Sequence, residues 1–469
     1  MSTESFKALL KRALNSPYAE TDIGLSLFRT CLETMHARYM EDYELKGPSL
    51  ELGVGDGSSS MFINGEKSGA ISVGLDMPLG MTFETKGLWW HPVATHYRSY
   101  VGGNMENIPF ADAAFETVYS SETMFYGMDM RATATEISRV LKPGGKFYCF
   151  NATEQWFNFD AVLSQLKCNI PSFSVPTDDE FVSIFEGTGL TCERRSYFFS
   201  PAMEILLHSV VDTGAGRVAE HSLLNRAPHE LARKIEVLSE LLEHEYDSSS
   251  GGFHHFLVFA QTGDAKENKT KGTDVLSFDP FDHLKCPVCT GTRFDFEESD
   301  IKCSGCDATY GVVCGVPMLV DEKQSGFSSI DLDASVTAPI NRHLGYAQKT
   351  AGAIFNKFSD TVTQMLEQAD GNALDLVVMA EQEIESKVLI SRQTASALRY
   401  LLKRAYPNHS VSMRILKDPK ESQPMLEPSG VPTLALYFSG GTALPESFRE
   451  ALQVRAVHTV HRVSLDIVK

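Results

Sequence analysis

The sequence holds no run of about 18 apolar residues, so no segment is expected to span a membrane. Its first twenty residues, MSTESFKALLKRALNSPYAE, lack the apolar core of a secretion signal and pattern as an amphipathic helix. There are no internal repeats and no low-complexity segment. Basic residues are outnumbered, 42 Lys and Arg against 61 Asp and Glu, for a formal net charge of −19. A large footprint on a phosphate backbone needs clustered cations, so nucleic acid is not the expected partner. Disulfide scaffolding is also absent from the pattern. Of nine cysteines, Cys31, Cys149, Cys168, Cys192 and Cys314 stand singly. That usage suits a reducing compartment, and the cytoplasm is the expected location.

What remains is ordinary globular material, 43% apolar and 22% charged. At roughly 100–200 residues per domain, 469 residues make two to four domains. PSLELGVGDG (48–57) runs from a short apolar strand into a glycine turn. GAISVGLD (69–76), FETVYSSETMF (115–125) and GGKFYCFNAT (144–153) repeat the strand pattern, with helix-like EISRVL (136–141) between the last two. Strands alternating with helices predict βαβ units and a mostly parallel sheet. LTCERRSYFFS (190–200) and FHHFLVFAQT (253–262) read as closing strands around a helical insert at about 201–246. Residues 1–263 therefore read as one α/β domain. GDAKENKTKGTD (263–274) reads as a linker, a cysteine module spans 280–322, and a second linker, DEKQSGFSSIDLDAS (321–335), leads to a smaller α/β domain at 336–469.

The glycine turn invites a ligand. Glycines let the backbone bend tightly and approach a bound molecule, and an acidic residue about twenty positions on, Asp76, can accept from both ribose hydroxyls. A dinucleotide fingerprint is GxGxxG; here the pattern is ExGxGxG, followed by Ser58, Ser59 and Ser60. The carboxylate of Glu51 would repel phosphate and suits a ligand with an amino group and no phosphate.

With ELGVGDG, VGLD, GNMENIPFADAAFETVYSS and EISRVLKPGGKFY in this order, residues of about 45–155 resemble a class I S-adenosylmethionine-dependent methyltransferase, of the type 11-like branch. The resemblance implies a Rossmann-like fold and S-adenosyl-L-methionine as cofactor. It places Glu51, Gly53, Gly55 and Gly57 at the methionine part, Asp76 at the ribose, Asn104 and Met105 near the adenine, and Ser120 with Ser121 at the end of the fourth strand facing the cofactor. Asn104 departs from the family's usual acid, but its amide oxygen can still accept. Lys142-Pro143-Gly144-Gly145 reads as a structural turn. The stretch from Glu122 to Asp129 is expected to begin the substrate side. Methyl transfer from a sulfonium needs mainly alignment, and a base only for acceptors such as alcohols. Tyr126, Asp129 and His96 are the candidate catalytic residues, with His91 weighed beside them; Tyr126 stands where many relatives carry histidine. Against these roles stand plain ones: packing or surface positions for the histidines, and a helix cap for Asp129.

The cysteine module reads KCPVCTGTRFDFEESDIKCSGC. Cys286, Cys289, Cys303 and Cys306 form two CxxC pairs, the donor set of a structural, tetrahedral Zn2+. Neither pair opens a helix of a thioredoxin-like unit, which argues against redox work. The acidic arm between the pairs, with Phe294 and Phe296 alternating, reads as a short strand. From the Leu-x-Cys-Pro-x-Cys start through Tyr310 to the Gly315–Leu319 ending, the segment resembles the Trm112-like zinc-ribbon proteins, which dock on methyltransferases. Cys314 is a departure and reads as a buried spare thiol. In the last domain, VPTLALYFSGG (431–441) is similar to a thioredoxin-like strand, without a CxxC for redox chemistry. Substrate recognition, docking and dimerisation are the roles open to it, so a homo-oligomer is among the expectations.

Two enzyme readings follow. One is methylation of a small or medium organic acceptor, a sugar, glycan or secondary metabolite, at O or N. The other is methylation of RNA or a translation protein, which the ribbon favours; the charge, and SSETMFYG standing where [Asn/Asp]-Pro-Pro-[Tyr/Phe] would be, oppose it. A cofactor-binding scaffold without enzymatic activity is a third.

Overall fold

A computed structural model describes residues 47–54, 73–77, 99–156 except 128, 175–199, 251–262, 278–320, 334–368, 373–380, 385–416, 433–439 and 459–464, with single positions between 32 and 43. In chain order the strands are β1 (Ser49–Leu52), β2 (Val73–Asp76), β3 (Ser99–Gly103), β4 (Phe115–Ser121), β5 (Leu141–Ala152), β6 (Leu190–Phe198), β7 (His254–Gln261), β8 (Phe294–Phe296), β9 (Asp300–Cys303), β10 (Thr309–Val313), β11 (Val316–Leu319), β12 (Ala373–Ala380), β13 (Ser410–Leu416), β14 (Thr433–Ser439) and β15 (Thr459–Ser464). The α-helices are α1 (Met130–Val140), α2 (Asp178–Glu186), α3 (Ala334–Gln368) and α4 (Glu385–Ala405). The chain divides into two compact units: Met1–Leu45, Ser58–Ser68 and Phe115–Lys266 form the first, and Lys46–Gly57, Gly69–Ala114 and Glu267–Lys469 the second. The N-terminal helix, the insert at 201–246 and both linkers lie wholly or mostly outside the described residues.

The first unit orders its strands β6-β7-β5-β4. β4 and β5 are parallel, and β7 runs antiparallel between β5 and β6. β4 and the second half of β5 are almost continuously buried, as expected of strands covered on both faces. With β7 and α2 they build an aromatic core in which Phe150 stacks on Phe256 at 4.4 Å and Phe185 on Phe259 at 5.1 Å. Both helices start on caps written in the sequence. Asp129 accepts from the Ala132 N–H at 3.0 Å, and Thr177 with Glu180 completes a capping box on α2.

In the second unit the order is β1-β2-β3-β11-β10-β9-β8. β1, β2 and β3 are parallel, and β11 of the cysteine module adds to the edge of β3 in parallel register, Met318 against Gly102 and Leu319 against Gly103. The module is thus a continuation of the sheet that carries the glycine turn. A separate all-parallel sheet, β13-β12-β14-β15, makes the C-terminal part, with α4 crossing from β12 to β13. The thioredoxin-like strand expected at 431–441 is present as β14, but it pairs in parallel with both β12 and β15, in a doubly wound order.

The hairpin β10–β11 turns through two residues, Cys314 (φ 50°) and Gly315 (φ 82°), both left-handed, as a type I′ turn requires. Its tip is sunk against α4: a Cβ on Gly315 would lie 2.2 Å from the Ser396 carbonyl oxygen. Cys314 is fully buried beside Val316, Ala351, Leu398 and Leu402. Nearby, Asp279 is fully enclosed and accepts from Arg399 Nη2 (2.8 Å), the Phe281 N–H (3.0 Å) and the Val411 N–H (2.8 Å). Arg399 also bonds Ser99 of β3 and the Val411 carbonyl, while Lys403 reaches Asp282 and the His409 carbonyl.

Candidate active site and metal centre

The carboxyl ends of β1 and β2 present the first group of expected residues. After Leu52 the chain turns at Gly53 with φ 68°, a left-handed conformation in which a side chain would be strained. The N–H groups of Gly53 and Val54 both donate to the Leu75 carbonyl, at 2.9 and 3.3 Å, which ties this turn to the end of β2. Glu51 is buried on β1, opposite Gly74 of β2. Asp76 is half-buried at the end of β2, and one carboxylate oxygen accepts from the Met77 N–H at 2.7 Å. Gly55, Gly57, His91 and His96 lie outside the described residues.

Asn104 and the half-buried Met105 form a tight turn after β3. The amide oxygen of Asn104 accepts from the Glu106 N–H at 2.9 Å, and its carbonyl accepts from the Asn107 N–H at 3.0 Å. The oxygen expected to serve adenine therefore already shapes this turn, with a second lone pair left over. The turn is in turn held by the cysteine module. Asn107 Nδ2 donates to the Pro287 carbonyl (2.9 Å), the Lys285 N–H to Pro109 (3.0 Å) and the Ala111 N–H to His283 (2.8 Å).

In the first unit, Ser120 is fully buried on β4 and Ser121 Oγ lies 3.2 Å from His36 Nδ1. Tyr126 sits in a 3-10 turn, about half exposed. Asp129 spends its carboxylate as the N-cap of α1. Glu122, the residue after β4, was legible only as the start of the expected substrate side, with no role of its own. Its Oε1 lies 3.0 Å from His254 Nδ1, and its backbone is left-handed with φ 51°. Burial pushes its carboxyl up, but His254, with smaller contributions from His36 and His255, outweighs that and holds it below the usual range. The adjacent His255 bonds Asp178 at 3.1 Å. A cavity of about 490 Å³ is lined by Thr153, Glu154, Asp178, Asp179, Arg195 and Tyr197, among others. The clue to Glu122 and its partner was a carboxylate placed directly after a parallel strand, and a histidine pair in a strand otherwise apolar.

The four module cysteines converge. All four Sγ atoms lie within 4.8 Å of one another, with Cys286–Cys306 at 3.7 Å and Cys289–Cys303 at 3.5 Å. Zn–S bonds of about 2.3 Å in a tetrahedron place sulfurs roughly 3.8 Å apart, so the donor set fits zinc. The two knuckles repeat each other. Thr290 N–H donates to the Cys286 carbonyl and Asp307 N–H to that of Cys303, each at 2.9 Å, and both donors are left-handed, at 60° and 61°. Tyr310, nearly buried, holds its hydroxyl 3.0 Å from Cys286 Sγ. Burial opposes ionisation of Cys286, yet the Tyr310 hydroxyl and the backbone N–H groups of Val288 and Cys289 bring its thiol down to about 7. Cys314, by contrast, is pushed up to about 12 by burial and stays a core thiol.

The Methyltransferase domain family (Methyltransf_11) matches residues 50–149. An O-methyltransferase of Aspergillus sclerotiorum, resE, is 31% identical over 97 residues, which cover 21% of this chain and 36% of that protein. Methyltransferase phqN of Penicillium fellutanum is 28% identical over 123 residues, 26% of this chain and 37% of that protein. The chain therefore spans little more than a third of these curated relatives. Among solved structures, geranyl diphosphate C-methyltransferase from Streptomyces coelicolor A3(2) is similar at 15% identity and a TM-score of 0.34, covering 54% of this chain and 84% of that one. Residues 50–149 are accordingly similar to the methyltransferase domains of the S-adenosylmethionine-dependent class.

Proposed function

We propose that the protein is an S-adenosylmethionine-dependent methyltransferase that acts on a small or medium organic acceptor, a sugar, glycan or secondary metabolite, at O or N. The family match over 50–149 carries this reading, because the Gly53 turn and Asp76 lie inside it on adjacent parallel strands. Glu51, Gly53, Gly55 and Gly57 would hold the methionine part, Asp76 the ribose, Asn104 and Met105 the adenine, and Ser120 is the further cofactor-binding candidate. Bound S-adenosylmethionine supplies an activated methyl group. Tyr126 and His96 stay candidates on the substrate side; the capping role of Asp129 counts against it as a base. The O-methyltransferase relative favours an oxygen acceptor.

In this reading Cys286, Cys289, Cys303 and Cys306 bind one structural Zn2+ and leave no open coordination position for catalysis. The Trm112-like ribbon braces the cofactor-side sheet from within the chain, with β11 on β3 and Pro287 on Asn107 supporting it. The segments 1–263, 280–322 and 336–469 act as its three functional parts, and the cytoplasm suits the cysteine usage, with no disulfide among the described residues. No described helix is long and apolar enough to cross a membrane. Methylation of RNA or a translation protein is the second reading, favoured by the ribbon alone.

Calorimetry is expected to show S-adenosylmethionine binding that is lost in Asp76→Ala and Gly55→Val; retained binding would sink the cofactor assignment. Metal analysis should find about one zinc per chain. Labelled cofactor, offered small-molecule, RNA and protein fractions of a cell extract, should deliver label to the first, and label in RNA or protein would select the second reading.

A further inference from the structure

We propose that Tyr100 is a positioning residue for the cofactor: it links the core of the C-terminal part to Val54 in the glycine turn, so that this part of the chain sets how tightly S-adenosylmethionine is held. The link rests on the methyltransferase reading above and gives the C-terminal part a task within it. All the residues concerned belong to the second unit.

The link begins with a gap. Register pairs Glu51 with Gly74 and Gly74 with Tyr100, so the three form one row across β1, β2 and β3. Residues of one row share a face of the sheet, and glycine leaves the middle of this row empty. Two neighbours take the space. A Cβ on Gly74 would lie 2.7 Å from Val54 Cγ2 and 3.2 Å from each of two ring carbons of Tyr100. No side chain fits at 2.7 Å without a shift of its neighbour. Val54 is buried, and it stands between Gly53 and Gly55 of the turn.

Tyr100 is also anchored to the C-terminal part. It packs against the buried core that includes Ala351 of α3, Leu398 of α4 and Leu376 of β12. Its strand is fixed there too: Ser99 is bonded by Arg399 of α4, and β11 pairs with β3 at Gly102 and Gly103. In the glycine turn, the N–H groups of Gly53 and Val54 share one acceptor, the Leu75 carbonyl, so the packing of the Val54 side chain bears on where the turn sits. A binding constellation has to be held to within about 0.5 Å, and that takes side chains packed behind it. Tyr100 is the residue that borders the space beside Val54 and the C-terminal core alike.

Calorimetry with S-adenosylhomocysteine on the full-length protein, well below its melting transition, tests this. Tyr100→Leu should weaken binding about 10-fold, and Tyr100→Phe, which keeps the ring, should bind like wild type. Val54→Ala should weaken binding on its own. The double variant, Val54→Ala with Tyr100→Leu, should bind no worse than the weaker single, because both act through one packed space. A truncation that only loosened the fold would lower the melting temperature, leave the affinity of the folded protein unchanged and show no coupling to Val54. Gly74→Ala enters the same space by addition and should weaken binding by a similar factor. Unchanged affinity in folded Tyr100→Leu, or additive losses in the double variant, overturns the proposal. Should Tyr100→Leu not fold, wild-type affinity in Gly74→Ala overturns it instead. Wild-type protein that binds no S-adenosylhomocysteine overturns the methyltransferase reading itself, and this link with it.

Discussion

Replacing Asp279 by Ala is expected to destabilise the second unit by about 4 kcal/mol. The side chain is completely enclosed, and so, nearly, are its cationic partners: Arg399 is 4% exposed and Lys403 2%. Lys403 keeps Asp282, but among the described residues Arg399 keeps only neutral acceptors, the Ser99 hydroxyl and the Val411 carbonyl, beside the Phe281 ring at 5.3 Å. Removing one partner of a buried ion pair typically costs about 3–5 kcal/mol, because the other charge stays buried without compensation. The N–H groups of Phe281 and Val411 also lose their acceptor, at roughly 1–3 kcal/mol each before relaxation. These terms share one site and do not add in full, so about 4 kcal/mol is a lower-middle figure. At about 2–4 °C per kcal/mol for a body this large, the transition should move down by roughly 8–16 °C. Denaturant unfolding followed by tryptophan-independent circular dichroism would measure it. The double variant Asp279→Leu with Arg399→Met should recover much of the loss, since an apolar pair of similar volume removes the stranded charge. A single-site loss under 1 kcal/mol, or a double variant worse than both singles, would show that the network is not holding these segments together.

Three further outcomes are expected. Tyr310→Phe removes the hydroxyl beside Cys286, and loss of such an outer hydrogen bond should weaken zinc retention about 10- to 100-fold, read as release to a chromogenic chelator; an unchanged rate refutes the role. Gly315→Ala puts a Cβ against the Ser396 carbonyl in a left-handed turn, so stability should drop by at least about 2 kcal/mol, and a silent substitution would mean the hairpin tip seats elsewhere. Glu122 and Asp178 are both held below their ordinary carboxyl values, burial opposing the shift and histidine producing it. Their contribution is therefore complete above the unfolded values near 4 and is lost as pH falls through the lower folded ones, so the denaturation midpoint should fall steeply below about pH 4.

Most strands were legible because each is a short apolar, β-branched run bounded by glycine or polar turns, and the four cysteines advertise their own geometry. The attachment of the module was not. β11 joins β3 through backbone hydrogen bonds, which leave no residue signature at either strand. Arg399 and Lys403 look like exposed cations near the end of a helix, the usual place for them; their burial depends on carboxylates 120 residues earlier. Asp129 was legible both as a candidate base and as a helix cap, and the cap is what is found, whereas the sequence could not show that the Asn104 amide oxygen already serves its own backbone. Glu122 was read only as the start of a substrate segment, because left-handed backbone at a glutamate is a tertiary outcome.

The pairing of β11 with β3 also sets a schedule for biosynthesis. β3 ends at Gly103, and the strand that covers its edge is complete only at Leu319. At about 5–20 residues per second, a ribosome needs roughly 10–40 s to bridge that interval. During that time the nascent sheet carries an open edge able to recruit foreign strands. Once the ribbon emerges, capture is intramolecular, so its rate is set by tether length and not by protein concentration. A separately encoded covering strand would have to find the same edge by diffusion, and its success would depend on how much of it the cell makes.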